Sequence, residues 1–102
     1  MALKEKVVSP NHYTALEYVT KRPRYITLDL ESDIPVATYI VRPKALQYYS
    51  DGSTTFKYYG GFPDPRMHQH QTLWLPFSGS WYLIVSNPDE SREATIEYEV
   101  SF

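Results

Sequence analysis

Arg24–Arg42, RYITLDLESDIPVATYIVR, carries most of what the sequence says about the fold. In its first half Ile26, Leu28 and Leu30 alternate with Thr27, Asp29 and Glu31. Successive side chains of a strand point to opposite faces, so this period of two predicts a half-buried strand over 24–31. Ser32-Asp33 reads as a turn. Ile34–Arg42 is apolar on both faces and predicts a second, central strand. Pro35 then stands at its start, where a missing N–H is tolerated, and Pro43 closes it.

The same alternation recurs downstream. Ala45–Tyr49 (ALQYY) and Thr54–Tyr59 (TTFKYY) flank Ser50-Asp51-Gly52-Ser53, and Asp-Gly between two β-prone runs predicts a hairpin. A Gly60–Arg66 loop follows, then a strand over Gln69–Leu75 ended by Pro76, and a turn at Ser78-Gly79. Ser80–Ser86 (SWYLIVS) is almost continuously apolar, as a strand covered on both faces would be, with Trp81 as a core ring. Asn87-Pro88-Asp89-Glu90 predicts a turn in which the Asn side chain bonds the backbone and proline presets φ. Ala94–Phe102 alternates Ile96, Tyr98, Val100 and Phe102 with Thr95, Glu97, Glu99 and Ser101. Asn11–Thr20 fits either a short helix started by Ser9-Pro10 or an edge strand with Leu16 and Tyr18 on one face; the strand is preferred. Seven or eight short strands with regular turns predict an all-β chain, a single antiparallel β-sandwich of jelly-roll or Ig-like type over 1–102.

Bulk properties narrow the function classes. A chain of 102 residues suits one domain with one modest core. It has no cysteine, which excludes disulfides, thiolate metal sites and cysteine nucleophiles and tilts toward a reducing compartment. The net charge is −2 with both signs scattered, which argues against nucleic acid as a partner. MALKEKVVSP lacks the apolar stretch of a signal peptide, and no window approaches the ~20 apolar residues of a membrane span. The expectation is a cytoplasmic protein without membrane contact.

No catalytic constellation can be nominated. There is no Gly-x-Ser-x-Gly elbow, Gly60-Gly61 lacks the spacing of a phosphate loop, and surface alternation accounts for Glu97 and Glu99. The expectation is a non-enzyme without a cofactor. His68 and His70, at i and i+2 of a strand, share a face and are candidate ligands for Zn²⁺ or Cu²⁺ if a third group converged. His12 is far away in sequence and nothing singles out Asp64, so no metal is assigned. The aromatic content points elsewhere: ten tyrosines stand with four phenylalanines and two tryptophans. Tyr58 and Tyr59 run into Gly60-Gly61, then Phe62 and the Pro-Asp-Pro stretch before Arg66. With Tyr49 or Tyr48 across the expected hairpin, this makes a candidate platform for a sugar, a nucleobase or a partner's side chain. A strand end with a sharp corner explains the same residues.

His12-Tyr13, Tyr25-Ile26-Thr27-Leu28, Tyr49 with Asp51-Gly52, Lys57-Tyr58-Tyr59-Gly60-Gly61, Pro76 with Gly79, and Trp81-Tyr82 follow one another in order. In this the chain resembles a small bacterial β-sandwich family of unknown function, often fused to or found near TIR domains. Phe62–Gln71 departs from it, being longer and richer in His and Gln, so no site carries over there. Gly79-Ser80-Trp81-Tyr82 also resembles the last strands of secreted pre-peptidase C-terminal domains, against which the missing signal peptide argues. The first resemblance implies a non-catalytic accessory or sensor domain in bacterial TIR-type signalling or anti-phage defence. Its partner would be a protein, such as a TIR-domain protein, or a second copy of the chain. The alternatives are a small-ligand binder for a nucleotide-derived signal or a glycan, using Tyr58, Tyr59, Phe62 and Arg66, and a metal-dependent hydrolase using His68 and His70.

Overall fold

The computed structural model describes residues 3–53 and 55–102. Six strands and one helix follow in the order β1 (Lys4–Val8), β2 (Tyr13–Thr20), β3 (Arg24–Val41), α1 (Pro43–Ser50), β4 (Arg66–Leu75), β5 (Gly79–Ser86) and β6 (Ala94–Ser101). All pairings are antiparallel, in the order β1-β6-β3-β5-β2, with β4 also on β3. The chain is therefore all-β apart from one short helix, and its sheet curls around a core.

The curl comes from β3. Ser32-Asp33 is not a turn: the strand runs on through it, paired with β4 and β6 up to Ser32 and with β5 from Ala37. The register against β4 shifts between Glu31 and Val36, and Pro35 sits inside that irregularity, where a residue without an N–H breaks no ladder. Asp33 fixes the crossing by accepting the Thr95 N–H at 2.9 Å. One bent strand thus replaces the two expected strands. Ile26, Leu28 and Leu30 from its first half meet Trp81, Leu83 and Val85 of β5 inside the curl, with Leu75 and Ile96 closing the core. These side chains are almost wholly withdrawn from water, each contributing about 1.5–3 kcal/mol by burial.

The expected hairpin over 45–59 is the second correction. Ala45–Tyr49 lies in α1, and Tyr49 is a helical residue. Pro43 occupies the first helical turn, where its missing N–H is one no helix would use, and Ala45, Leu46 and Tyr49 lie on the face turned to the sheet. Asp51-Gly52 ends this helix instead of turning a hairpin. Gly52 has φ +83°, its N–H donates to the Tyr49 carbonyl, and the Ser53 N–H donates to the Tyr48 carbonyl. That is the reciprocal pattern of a glycine-terminated helix end. Thr54, at the start of the expected second hairpin strand, lies outside the described residues, and Thr55–Tyr59 is extended without forming a strand.

Other elements meet their expectations. Within the expected Asn11–Thr20, β2 (Tyr13–Thr20) forms an edge strand. The turn at Asn87 forms as read: its side-chain N–H₂ donates to the Val8 and Arg92 carbonyls while its oxygen accepts the Asp89 N–H. A strand with no expectation from the sequence, Lys4–Val8, pairs with β6. In place of seven or eight strands, six are present among the described residues. No helix among them is long and apolar enough to cross a membrane.

Candidate functional site

Thr55–Phe62 runs back along the free edge of β3's second half. The Tyr59 N–H donates to the Ile40 carbonyl at 2.8 Å, the Ile40 N–H to the Gly60 carbonyl at 2.8 Å, and the Thr38 N–H to the Phe62 carbonyl at 3.0 Å. Alternation along this extended segment separates the two tyrosines. Tyr59 turns inward, edge-on to Trp81 with ring centroids 5.0 Å apart. Tyr58 turns outward and stays 45% exposed, packed against Tyr39 and Phe56. The glycines are there for close approach: a Cβ on Gly61 would lie 2.3 Å from the Thr38 carbonyl oxygen.

A buried polar hub locks this corner. Thr38 Oγ1 donates to Gln69 Oε1 at 2.6 Å and accepts the Phe62 N–H at 3.0 Å, while Gln69 Nε2 donates to the Val36 carbonyl. Gln71 Oε1 accepts the Gly61 N–H at 2.7 Å. The Gln-rich face of β4 is therefore the inward one, and His68 and His70 occupy the outward one.

On the outer face of the sheet, α1 covers Val41 and Ile84, and an aromatic cluster surrounds it. Tyr49 is its centre, meeting Tyr13, Tyr39 and Phe56 at centroid distances of 4.8, 5.8 and 5.5 Å. Burial raises the Tyr39 phenol, and neighbouring Tyr49, Tyr58 and Asp64 add to the shift.

Beside this cluster, between the start of α1 and the Thr55–Tyr59 segment, lies a groove of about 200 Å³. Arg42, Lys44, Tyr48, Phe56, Lys57 and Tyr59 line it. Lys44 Nζ stands 5.9 Å from the Tyr48 ring centre and Lys57 Nζ 4.9 Å from that of Tyr59. The Arg42 guanidinium lies 4.9 Å from the Trp81 ring centre and donates to the Ser78 carbonyl at 2.9 Å. Cations over ring faces gain about 0.5–1 kcal/mol at exposed sites, enough to orient a long side chain. The ion pairs among the described residues join His68 to Glu31, His70 to Asp29 and Arg92 to Asp89, so none involves Arg42, Lys44 or Lys57. Among the described residues, no carboxylate lines the groove.

The predicted site residues divide. Tyr59 lines the groove, Tyr58 flanks it from the other face, and Tyr49 is packing under α1. Phe62 and Arg66 pair with each other, guanidinium to ring centre 5.1 Å, at the far end of the loop beside the Thr38–Gln69 hub. They do not form one platform with the tyrosines. Arg42 and Lys44 were missed because Pro43 was read as a strand end. As the first helical residue it would have placed Lys44 and Tyr48 at i and i+4 on one helix face.

His68 and His70 do share a face, as read. Each pairs across the strand with an acid: His68 Nδ1 is 3.6 Å from Glu31, and His70 Nδ1 bonds Asp29. Among the described residues no three His, Asp or Glu side chains converge to hold a metal ion. Compared with models of known protein families and with curated proteins, the chain matches none.

Proposed function

We propose that the protein is a non-catalytic binding and assembly module that docks an acidic segment of a protein partner along the groove between α1 and Thr55–Tyr59. The observation that carries this reading is the row of three cations without carboxylate partners, held against aromatic rings. Aromatic side chains with few torsions are low-entropy anchors, and unpaired cations beside them select an acidic partner. The size of the groove favours a chain lying along it over an enclosed nucleotide or sugar, since small-molecule sites run to about 300–1,000 Å³.

The resemblance to the TIR-associated family supplies a candidate partner, a bacterial TIR-domain protein, and a setting in cytoplasmic signalling or anti-phage defence. The same proposal takes the curled sheet as a small sandwich whose two halves are joined by β3. Amide chemical-shift mapping with an acidic Glu–Tyr copolymer as probe tests the groove. Shifts are expected at Lys44, Tyr48, Phe56 and Lys57. No shifts, or shifts confined to the His68–His70 face, would overturn the proposal.

A further inference from the structure

We propose that two copies of the chain join edge to edge through β2, making one continuous sheet across a two-fold axis. Among the described residues, β2 pairs with β5 alone, on one side. An unpaired strand edge is a template for another strand, and proteins that stay monomeric guard such edges with charges, prolines or bulges. β1 is guarded in this way by Lys4, Glu5 and Lys6, and β4 carries Arg66 and two histidines. β2, YTALEYVT, has no proline and no break in its register with β5, and Glu17 is its one charge. Val19 on its outer face is 63% exposed.

The occupant follows from the strand itself. Residues opposite each other across a two-fold axis normal to the sheet must lie on the same face, so inward residues oppose inward ones. Tyr18, Leu16 and Thr14 face the core opposite Trp81, Leu83 and Val85; Tyr13, Ala15, Glu17 and Val19 face outward. Centring the axis on Leu16 sets Leu16 against its own copy, Thr14 against Tyr18, Tyr13 against Val19 and Ala15 against Glu17. Each of the last three pairs sets a small or medium side chain against a larger one, and Glu17 meets no other charge. Moving the axis to Glu17 sets the two carboxylates directly opposite each other, which is destabilising. Axes on Ala15 or Tyr18 also part the carboxylates but overlap only five of the eight strand residues, against seven for Leu16, so length and charge together select the register centred on Leu16 for an isologous interface.

Light scattering after size exclusion, over a range from low micromolar to near-millimolar protein, tests it. A concentration-dependent dimer is expected. Ala15→Glu sets two new like-charge pairs across the axis and should weaken the dimer about tenfold. Ala15→Lys, facing Glu17 of the second copy, should keep or strengthen it, and Ala15→Glu combined with Glu17→Lys should restore it. Since the chain has no cysteine, Leu16→Cys supplies a second check that survives a change in affinity. Its thiol should oxidise to a covalent dimer while Ala15→Cys does not, because only position 16 meets itself. A monomer throughout the range, equal loss on Ala15→Glu and Ala15→Lys, or equal cross-linking at 15 and 16 would overturn the proposal.

Discussion

Gly61→Ala is expected to be among the most damaging single-methyl additions in the chain. The new Cβ would sit 2.3 Å from the Thr38 carbonyl oxygen, 2.7 Å from its carbon and 2.9 Å from Tyr39 Cα. All three are backbone atoms of a central strand, so no side chain can rotate away. The φ of +110° adds left-handed strain of about 1–2 kcal/mol for any residue with a Cβ. Relieving the clash moves the segment away from β3 and breaks the Gly61 N–H bond to Gln71 Oε1 and the Thr38 N–H bond to the Phe62 carbonyl. Each lost bond costs about 1 kcal/mol net, more where the abandoned partner stays buried. The total is about 3–5 kcal/mol, or at least about 12 °C in Tm for a domain of this size. Gly52→Ala is the control: φ is +83° but nothing lies within 4 Å of the added Cβ, so only the backbone strain of about 1–2 kcal/mol applies. Urea and thermal unfolding followed by circular dichroism measure both variants. A Gly61→Ala protein as stable as Gly52→Ala would refute the close packing of Thr55–Phe62 on β3.

Three further outcomes can be checked by the same unfolding methods. Gln69→Leu leaves the Val36 carbonyl and Thr38 hydroxyl without their buried partner and should cost about 2–4 kcal/mol, whereas His68→Leu on the outward face should change stability by under about 0.5 kcal/mol. Asp89 accepts the Ser91 and Arg92 backbone N–H bonds and the Arg92 side chain, which hold its carboxyl well below the usual range. Its stabilisation is present above the ordinary carboxylate range and is lost as pH falls below about 4, so Asp89→Asn should lower stability at neutral pH and flatten the acid limb. Burial, with a smaller effect from Tyr98, pushes the Tyr18 phenol up to about 12. Stability should therefore fall as pH rises from about 10 to about 12, and Tyr18→Phe should reduce that fall and remove the most alkaline tyrosinate step from the ultraviolet titration.

The strands with clean alternation were legible in the sequence because one face of each meets the core and the other meets water. Ile26, Leu28 and Leu30 show it, as do Ile96 and Tyr98. Ser32-Asp33 was misread because turn residues also suit a bend where a strand exchanges partners; only the pairing to β5 and β6 distinguishes the two. Asp-Gly was misread because a glycine with positive φ serves a helix end as well as a hairpin, and the one-face spacing of Ala45, Leu46 and Tyr49 was the signal that favoured the helix. Tyr58-Tyr59-Gly60-Gly61 was legible as a corner but not as the end of a strand, since the segment before it meets β3 through one isolated bridge at Gly60. What it packs on was not legible, since Thr38, Gln69 and Gln71 are brought there by β3 and β4. The groove was half visible: Tyr59 and Lys57 belong to the stretch that stood out, whereas Arg42 and Lys44 reach it only because α1 turns the chain back.

The most direct test of the binding proposal is the affinity of an acidic Glu–Tyr copolymer for the wild-type chain and for Lys44→Glu combined with Lys57→Glu, measured by titration calorimetry at several salt concentrations. The groove predicts binding that weakens with salt and falls at least about tenfold on the double reversal, since each exposed charge contact contributes up to about 1 kcal/mol and reversal turns attraction into repulsion. Unfolding curves matching wild type would show the variant intact. Copolymer binding that ignores both salt and the reversal, or no binding at all, would contradict the account.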